Sequence, residues 1–222
     1  MIQLVAILGV LGIGIVFSVL GAVKLPLTEK LKIDDAKFGS LISTLMFTSI
    51  IVVLLIGPLV DAFGHKPIAV AGFLIAGISI FLLAFSGSYK SAVTACIGLG
   101  IGGMCINTVG NTLLPIVLFG GENAPAASNL GNVFFGIGAF LTPFFVVLLL
   151  KRLGFSNTLS IVGAIVIIPI IFALLTSAYP LLPGYEIGNA FRLLGTPVVL
   201  IASLVLFCYI ALEASMGGWI TS

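Results

Sequence analysis

The stretch that decides the fold is Gly57-Pro58-Leu59-Val60-Asp61-Ala62-Phe63-Gly64-His65-Lys66-Pro67. It is a short polar interruption between two long apolar runs, near residues 38–60 and 67–86. Gly64 can take the left-handed conformation that often ends a helix, and Pro67 suits the first turn of the helix that follows. The stretch therefore predicts a tight reversal between two hydrophobic helices.

Apolar runs of similar length occupy most of the chain. Hydrophobic residues make up 60% of the 222 residues and charged residues only 7%, whereas a typical soluble domain carries about 25% charged residues. A helix needs about 20 apolar residues to span a bilayer, and backbone polar groups in hydrocarbon must be satisfied within the segment. We therefore expect an all-α integral membrane protein with seven spans. The runs lie near residues 2–23, 38–60, 67–86, 91–119, 126–150, 157–178 and 194–220.

Composition also argues against several other classes of protein. The net charge is +2, with no basic cluster of the kind that binds nucleic acid. The spans contain no pairing of a nucleophile with a base and no spacing typical of metal ligands, so we expect no enzymatic activity, cofactor or metal. Cys96, Cys105 and Cys208 all fall inside spans, where small packing residues are the simplest interpretation.

The arrangement of loops predicts two bundles. Loops are short, and the longest are residues 24–37 and 179–193. The second contains Pro180, Pro183 and Gly184, which is typical of a linker. We expect a six-helix bundle over residues 1–178, a linker over 179–193, and a seventh helix over 194–222. That seventh helix would begin a C-terminal bundle that is missing from this chain.

A weak internal echo predicts a three-plus-three repeat within the first bundle. Gly64 follows the second span, and Gly154 follows the fifth span, which carries Pro143. If spans 1–3 and 4–6 are repeats, the odd number of helices inverts the second copy, as in many secondary transporters.

The stretch around Gly64 resembles the loop signature of the major facilitator superfamily, a family of membrane transporters. That signature is a glycine, three residues, an aspartate, two residues, a glycine and then basic residues, between spans 2 and 3. The matching residues are Gly57, Asp61, Gly64 and Lys66. Ala62 and Pro67 depart from the pattern where basic residues are usual. The resemblance implies a cytoplasmic loop in which Asp61 helps to latch two bundles during alternating access.

The fourth span combines many glycines with two asparagines. A phosphate-binding loop would need a preceding strand, and this cluster lies inside an apolar span, so we interpret the glycines as sites of close helix packing. Asn107 and Asn111 are four residues apart and share one helix face. They either bond to a neighbouring helix or line a polar cavity.

The fifth span carries a second polar face, on which Asn129, Asn132 and Gly136 recur at helical spacing. The stretch from Asn129 to Pro143 resembles the fifth helix of the fucose–proton symporter branch, which moves sugars. The antiporter signature of that helix requires Gly-Pro, and here Thr142 precedes Pro143. Antiport is therefore not indicated.

Glu213 lies in the seventh span, in a segment that resembles the seventh helix of the sugar branch. An acid at membrane depth costs roughly 2.5–3.5 kcal/mol, so it is a candidate for substrate or ion binding. The alternative is a carboxylate that is neutralised at a helix end or paired. Spans 1 and 4 contain no charged residue, which leaves proton coupling unsupported, and we expect His65 to be solvated in its loop.

Charge and signature disagree about orientation. Loops after spans 1, 3 and 5 hold most of the basic residues, namely Lys24, Lys30, Lys32, Lys37, Lys90, Lys151 and Arg152. Loops after spans 2, 4 and 6 hold only Lys66 and Arg192. The positive-inside rule would place the first set in the cytoplasm, whereas the signature places its own loop there. We follow the signature, because its spacing and its location agree.

Together these features predict a multi-pass transporter of the cytoplasmic membrane, moving a small solute, with sugar favoured. Its partners would be the lipid bilayer, the solute, and either a missing C-terminal half or a second copy; no nucleic acid is expected. The residues predicted to bind the solute are Asn107, Asn111, Asn129, Asn132 and Glu213. The alternative is a membrane scaffold without transport activity, or a half-transporter that dimerises.

Overall fold

The computed structural model describes residues 1–180 and 195–220, with side chains given as far as Tyr209 and at Leu212. The chain divides into two compact units, Met1–Leu182 and Pro183–Ser222. All regular structure in the described residues is helical. The helices of the first unit are α1 (Ile2–Ala22), α2 (Lys24–Leu31), α3 (Asp35–Phe63), α4 (His65–Ala84), α5 (Tyr89–Val117), α6 (Ala124–Ile167) and α7 (Pro169–Leu175), with one 3-10 turn at Phe119–Gly121. The second unit contains α8 (Pro197–Ile220).

The lengths of the helices match a membrane. Five helical stretches in the described residues are long and apolar enough to cross one, and the last of them, Ala124–Leu175, is 52 residues long. At 1.5 Å per residue it would reach about 78 Å, more than twice the thickness of a hydrocarbon core. Gly154 breaks it instead, with φ 73° and ψ 177°. We call residues 124–153 α6a and residues 155–167 α6b, so α6b and α7 together form the sixth apolar segment. The all-α membrane class is confirmed.

The two predicted reversals share one backbone conformation. α3 ends at Phe63 and α4 begins at His65, with Gly64 alone between them at φ 82° and ψ 167°. Gly154 has nearly the same pair of angles. Only glycine adopts such a positive φ with an extended ψ at low cost. The expected left-handed helical conformation of Gly64 was therefore wrong in ψ, because an extended ψ is what turns the chain directly into the next helix.

Helix packing follows the pattern that an inverted repeat requires. α1 packs against α6 and α5, α3 packs against α5, and α4 packs against α5 and α6. Exchanging spans 1–3 (α1, α3 and α4) with spans 4–6 (α5, α6a, and α6b with α7) converts the α1–α6a contact into the α5–α3 contact. The same exchange leaves the α1–α5 and α4–α6b contacts unchanged. These contacts are the ones expected of three-plus-three symmetry.

Glycines allow the backbones of neighbouring helices to touch. A Cβ atom added to Gly102 of α5 would lie 2.8 Å from the Cα atom of Ala76 and 2.8 Å from the carbonyl oxygen of Gly72, both on α4. A Cβ atom on Gly138 of α6a would clash with the carbonyl of Leu11 on α1. Small residues let helices approach closely in a bilayer, where dispersion contacts replace the hydrophobic effect as the driving force. The predicted packing role of the glycines in the fourth span is confirmed.

The segment 24–37, expected to be a loop, is largely helical. α2 occupies Lys24–Leu31, and α3 begins directly after Asp34, whose side chain accepts a hydrogen bond from the Lys37 amide at 2.8 Å. The side chain of Leu27 is completely buried, so the bundle holds α2 in place. The sequence did not predict this helix because the segment is rich in charged residues. Its one buried side chain, Leu27, is also too few to give an apolar periodicity.

Lys30 of α2 fastens this segment to the ends of two other helices. Its ammonium donates to the carbonyl of Ala84, the last residue of α4, at 2.8 Å. It also lies 4.6 Å from the centre of the Phe155 ring, at the start of α6b. A cation at a helix C-terminus and over an aromatic face is favourable on both counts.

Candidate functional site

The asparagine pair of α5 forms one polar unit. Asn111 Nδ2 donates to Asn107 Oδ1 at 2.8 Å and to the Asn107 carbonyl at 3.1 Å. Asn107 is half-buried in the bundle, and Asn111 is exposed. Among the residues that the structure describes, neither side chain bonds to another helix. The side-chain oxygen of Asn111, Oδ1, therefore remains as an acceptor for a ligand, and the side-chain nitrogen of Asn107, Nδ2, remains as a donor.

α6a presents two exposed faces of opposite character. With 3.6 residues per turn, Asn129, Asn132, Gly136 and Pro143 fall within an arc of about 60°, and all but the half-buried Pro143 are exposed. The neighbouring exposed arc is entirely large and apolar. Its residues are Val133, Ile137, Leu141 and Phe144. The apolar arc suits lipid, whereas the amides of two asparagines do not.

The two polar faces lie at similar depth near one contact between helices. A Cβ atom added to Gly131 of α6a would clash with the side chain of Leu114 on α5, so the helices touch there. Asn111 precedes Leu114 by three residues, and Asn132 follows Gly131 directly. Along the helix axes Asn107 lies about 15 Å from the end of α5, and Asn132 lies about 12 Å from the start of α6a. Four of the five predicted binding residues are therefore carried by adjacent helices at the same end of the bundle.

Glu213, the fifth predicted binding residue, falls on α8. Its side chain is outside the part of the chain that the structure describes. Its role in binding a solute or an ion stays a prediction.

The four signature residues divide into two groups. Gly57 and Asp61 lie on the outer surface of α3, where Asp61 is exposed and a Cβ atom on Gly57 would meet no atom within 4 Å. Gly64 makes the reversal. Lys66 turns towards the sixth apolar segment, and its ammonium donates to the carbonyls of Leu174 at 2.8 Å and Thr176 at 3.0 Å.

His65 is buried, which contradicts the expectation of a solvated side chain. It is 2% exposed, and its Nε2 atom lies 3.1 Å from the Thr112 hydroxyl of α5. Its ring is stacked on Tyr179, with the centroids 6.5 Å apart. The physical reason is the one-residue turn, because α4 begins immediately after Gly64 and its first side chain is packed against α5. Thr112 and Tyr179 are remote in sequence, so no local pattern pointed to this site.

Comparison with known families agrees with this architecture. Residues 5–222 match the family model described as Major Facilitator Superfamily. No curated protein matches the chain. The family match covers the described bundle, the signature loop and α8. The chain therefore belongs to the Major Facilitator Superfamily, whose members are membrane transporters of small solutes.

Proposed function

We propose that the six-span bundle is one half of an alternating-access transporter of the cytoplasmic membrane that moves a small, uncharged, hydroxylated solute, with a sugar favoured. The observation that carries this proposal is that the polar face of α6a and the Asn107–Asn111 pair of α5 are carried by helices in contact. Solute would bind against this surface, near the midplane, between two bundles.

The exposed asparagines support a second bundle opposite this surface. An amide that faces hydrocarbon without a hydrogen-bonding partner is costly, so Asn129 and Asn132 favour a water-filled cavity over lipid. Gly57 and Gly136 add to this argument, since a Cβ atom on either would meet nothing within 4 Å. Packing inside the bundle therefore does not require these two glycines, whereas the close approach of another bundle would. That bundle would be either a C-terminal half or a second copy of this chain.

The chemistry of the surface favours a sugar over an ion. Each asparagine offers a carbonyl acceptor and two N–H donors, which match the hydroxyl groups of a sugar. The asparagine faces of α5 and α6a are uncharged. Glu213 would supply the remaining charged group, as a ligand for the solute or as the site of a coupling ion in symport.

Asp61 is proposed to latch the two bundles. It is exposed at the end of α3, next to Gly57 and directly before the reversal. A carboxylate at that position is suited to the N-terminus of a helix in the opposite bundle.

The proposal is tested by solute binding to the full chain in lipid nanodiscs. Neutral sugars, amino acids and organic acids would be screened by their effect on the unfolding temperature. Asn107→Ala and Asn132→Ala should each weaken binding of the active solute about tenfold, the equivalent of one hydrogen bond of about 1.4 kcal/mol. Val133→Ala, one residue from Asn132 but on the lipid arc, is the matched control and should bind normally.

Two results would reject the proposal. Equal solute affinity of Asn132→Ala and Val133→Ala would show that the polar face of α6a does not contact the solute. The membrane scaffold would be favoured if no solute in the screen binds and if Asn107→Ala, Asn132→Ala and Glu213→Gln all leave the unfolding temperature unchanged.

A further inference from the structure

The start of α4 is connected to the end of α7 by hydrogen bonds. Lys66 donates to the carbonyl oxygens of Leu174 and Thr176, at 2.8 and 3.0 Å. The last carbonyls of a helix have no partner within it, and the negative end of the helix dipole favours a cation there. Lys66 therefore supplies from α4 the cap that α7 does not provide for itself.

The residue before Lys66 holds the same segment from a second direction. His65 stacks on Tyr179, four residues after the end of α7, and lies within hydrogen-bonding distance of Thr112 on α5. The Tyr179 hydroxyl in turn donates to the carbonyl of Ala173 at 3.1 Å. Burial raises the pKa of the Tyr179 phenol, so it remains a donor at neutral pH.

These contacts fold the chain back after α7. Residues 176–180 do not continue away from the bundle but lie beside the first turn of α4, one residue from the Gly64 reversal. Thr176 is 4% exposed and Tyr179 is half-buried, so the segment is packed at these two residues. The described segment also leads into the predicted linker between bundles.

We propose that His65 and Lys66 are positioning residues that anchor residues 176–180 to the signature loop, so that the loop and the start of the linker move as one body. Within the signature the residues then have different tasks. Asp61 faces outward for the opposite bundle, whereas Lys66 is occupied inside its own bundle. A displacement of the Gly64 reversal is passed directly to the segment that leaves α7.

The first test uses hydrogen exchange of the full chain in lipid nanodiscs, followed by mass spectrometry of peptides that cover residues 172–180. Lys66→Met removes both donated hydrogen bonds and should increase amide exchange in these peptides about tenfold. Lys66→Arg keeps a donor for each carbonyl and should restore slow exchange. Lys151→Met removes an exposed lysine at the other end of the bundle and should leave residues 172–180 unchanged.

The second test uses the only histidine of the chain. Its isotope-labelled imidazole should give one set of resonances, which Tyr179→Leu and Thr112→Val should both shift. Tyr209→Leu, an exposed tyrosine of α8, is the control and should leave them in place.

Either test can overturn the proposal without reference to any solute. Equal exchange in Lys66→Met and Lys151→Met would show that Lys66 does not hold the segment. Unchanged imidazole resonances in Tyr179→Leu would show that His65 does not contact it. If Lys66→Met fails to fold, the imidazole measurement decides alone, since Tyr179→Leu leaves Lys66 intact.

Discussion

Replacing Gly102 by alanine tests a close backbone contact between two helices of the bundle. The new methyl group would enter the α4–α5 interface, 2.8 Å from both the Ala76 Cα atom and the Gly72 carbonyl oxygen. Ordinary van der Waals contacts begin at 3.4 Å. All of the obstructing atoms, including the Ala76 amide nitrogen, belong to the backbone of α4, so no side-chain rotation can relieve the clash and the helices must separate.

The expected loss of stability follows from two opposing terms. Overpacking costs about 1–3 kcal/mol, and a clash with backbone atoms belongs at the upper end because they cannot rotate away. Alanine in place of glycine inside a helix returns about 1 kcal/mol. Gly102→Ala should therefore destabilise the bundle by about 2 kcal/mol. Gly39→Ala is the matched control, because Gly39 also lies inside a helix and its methyl group meets nothing within 4 Å, so it should gain about 1 kcal/mol.

The buried thiols provide the assay. Cys96 and Cys105 lie in the core, whereas Cys208 is exposed and would be replaced by serine. Unfolding in increasing denaturing detergent then exposes two thiols to a reactive dye. A loss of 2 kcal/mol corresponds to a folded-to-unfolded ratio about 30-fold lower at equal detergent. If Gly102→Ala is as stable as Gly39→Ala, close backbone contact is not what holds α4 against α5.

Three further predictions address other parts of the molecule. Lys30→Met should destabilise the bundle by about 0.5–1 kcal/mol in the same thiol assay, through the lost contact with Phe155, whereas Lys32→Met should be neutral; equal effects would argue against the contact. Gly64→Ala should lower the free energy of unfolding by about 1–3 kcal/mol because the φ angle of Gly64 is 82°. Gly39→Ala should not lower it, because a Cβ atom there meets nothing within 4 Å. A neutral Gly64→Ala would show that the reversal tolerates a side chain. In a cysteine-free background, Lys32→Cys should react with a membrane-impermeant thiol reagent added to cells, and Glu122→Cys should not. The reason is that the family places the end of the bundle with the signature loop in the cytoplasm. The reverse labelling would show that the positive-inside rule decides the orientation.

Much of the fold was predictable because membrane helices leave a strong local signal. Runs of about 20 apolar residues require a helix wherever they occur. Gly64 and Gly154 also marked both reversals, since a turn of one residue needs a conformation that other residues rarely adopt. α2 escaped prediction because its stability comes from Leu27 and Lys30, which contact residues distant in the chain.

The candidate site was predictable in composition but not in all its contacts. Polar residues inside apolar spans are conspicuous, so the asparagines were found by inspection. The hydrogen bond between Asn107 and Asn111 follows from their spacing of four residues. The burial of His65 does not follow from any local pattern, because it depends on Thr112 and Tyr179, and only the packing of three helix ends brings these together.

The two single-glycine reversals have a consequence for how the chain enters a membrane during synthesis. At Gly64 and at Gly154 one helix ends and the next begins with a single residue between them. No intervening segment exists that a translocation channel could hold on one side while it releases the first helix into lipid. The two helices of each pair are therefore expected to enter lipid together, as a helical hairpin, and not one helix at a time.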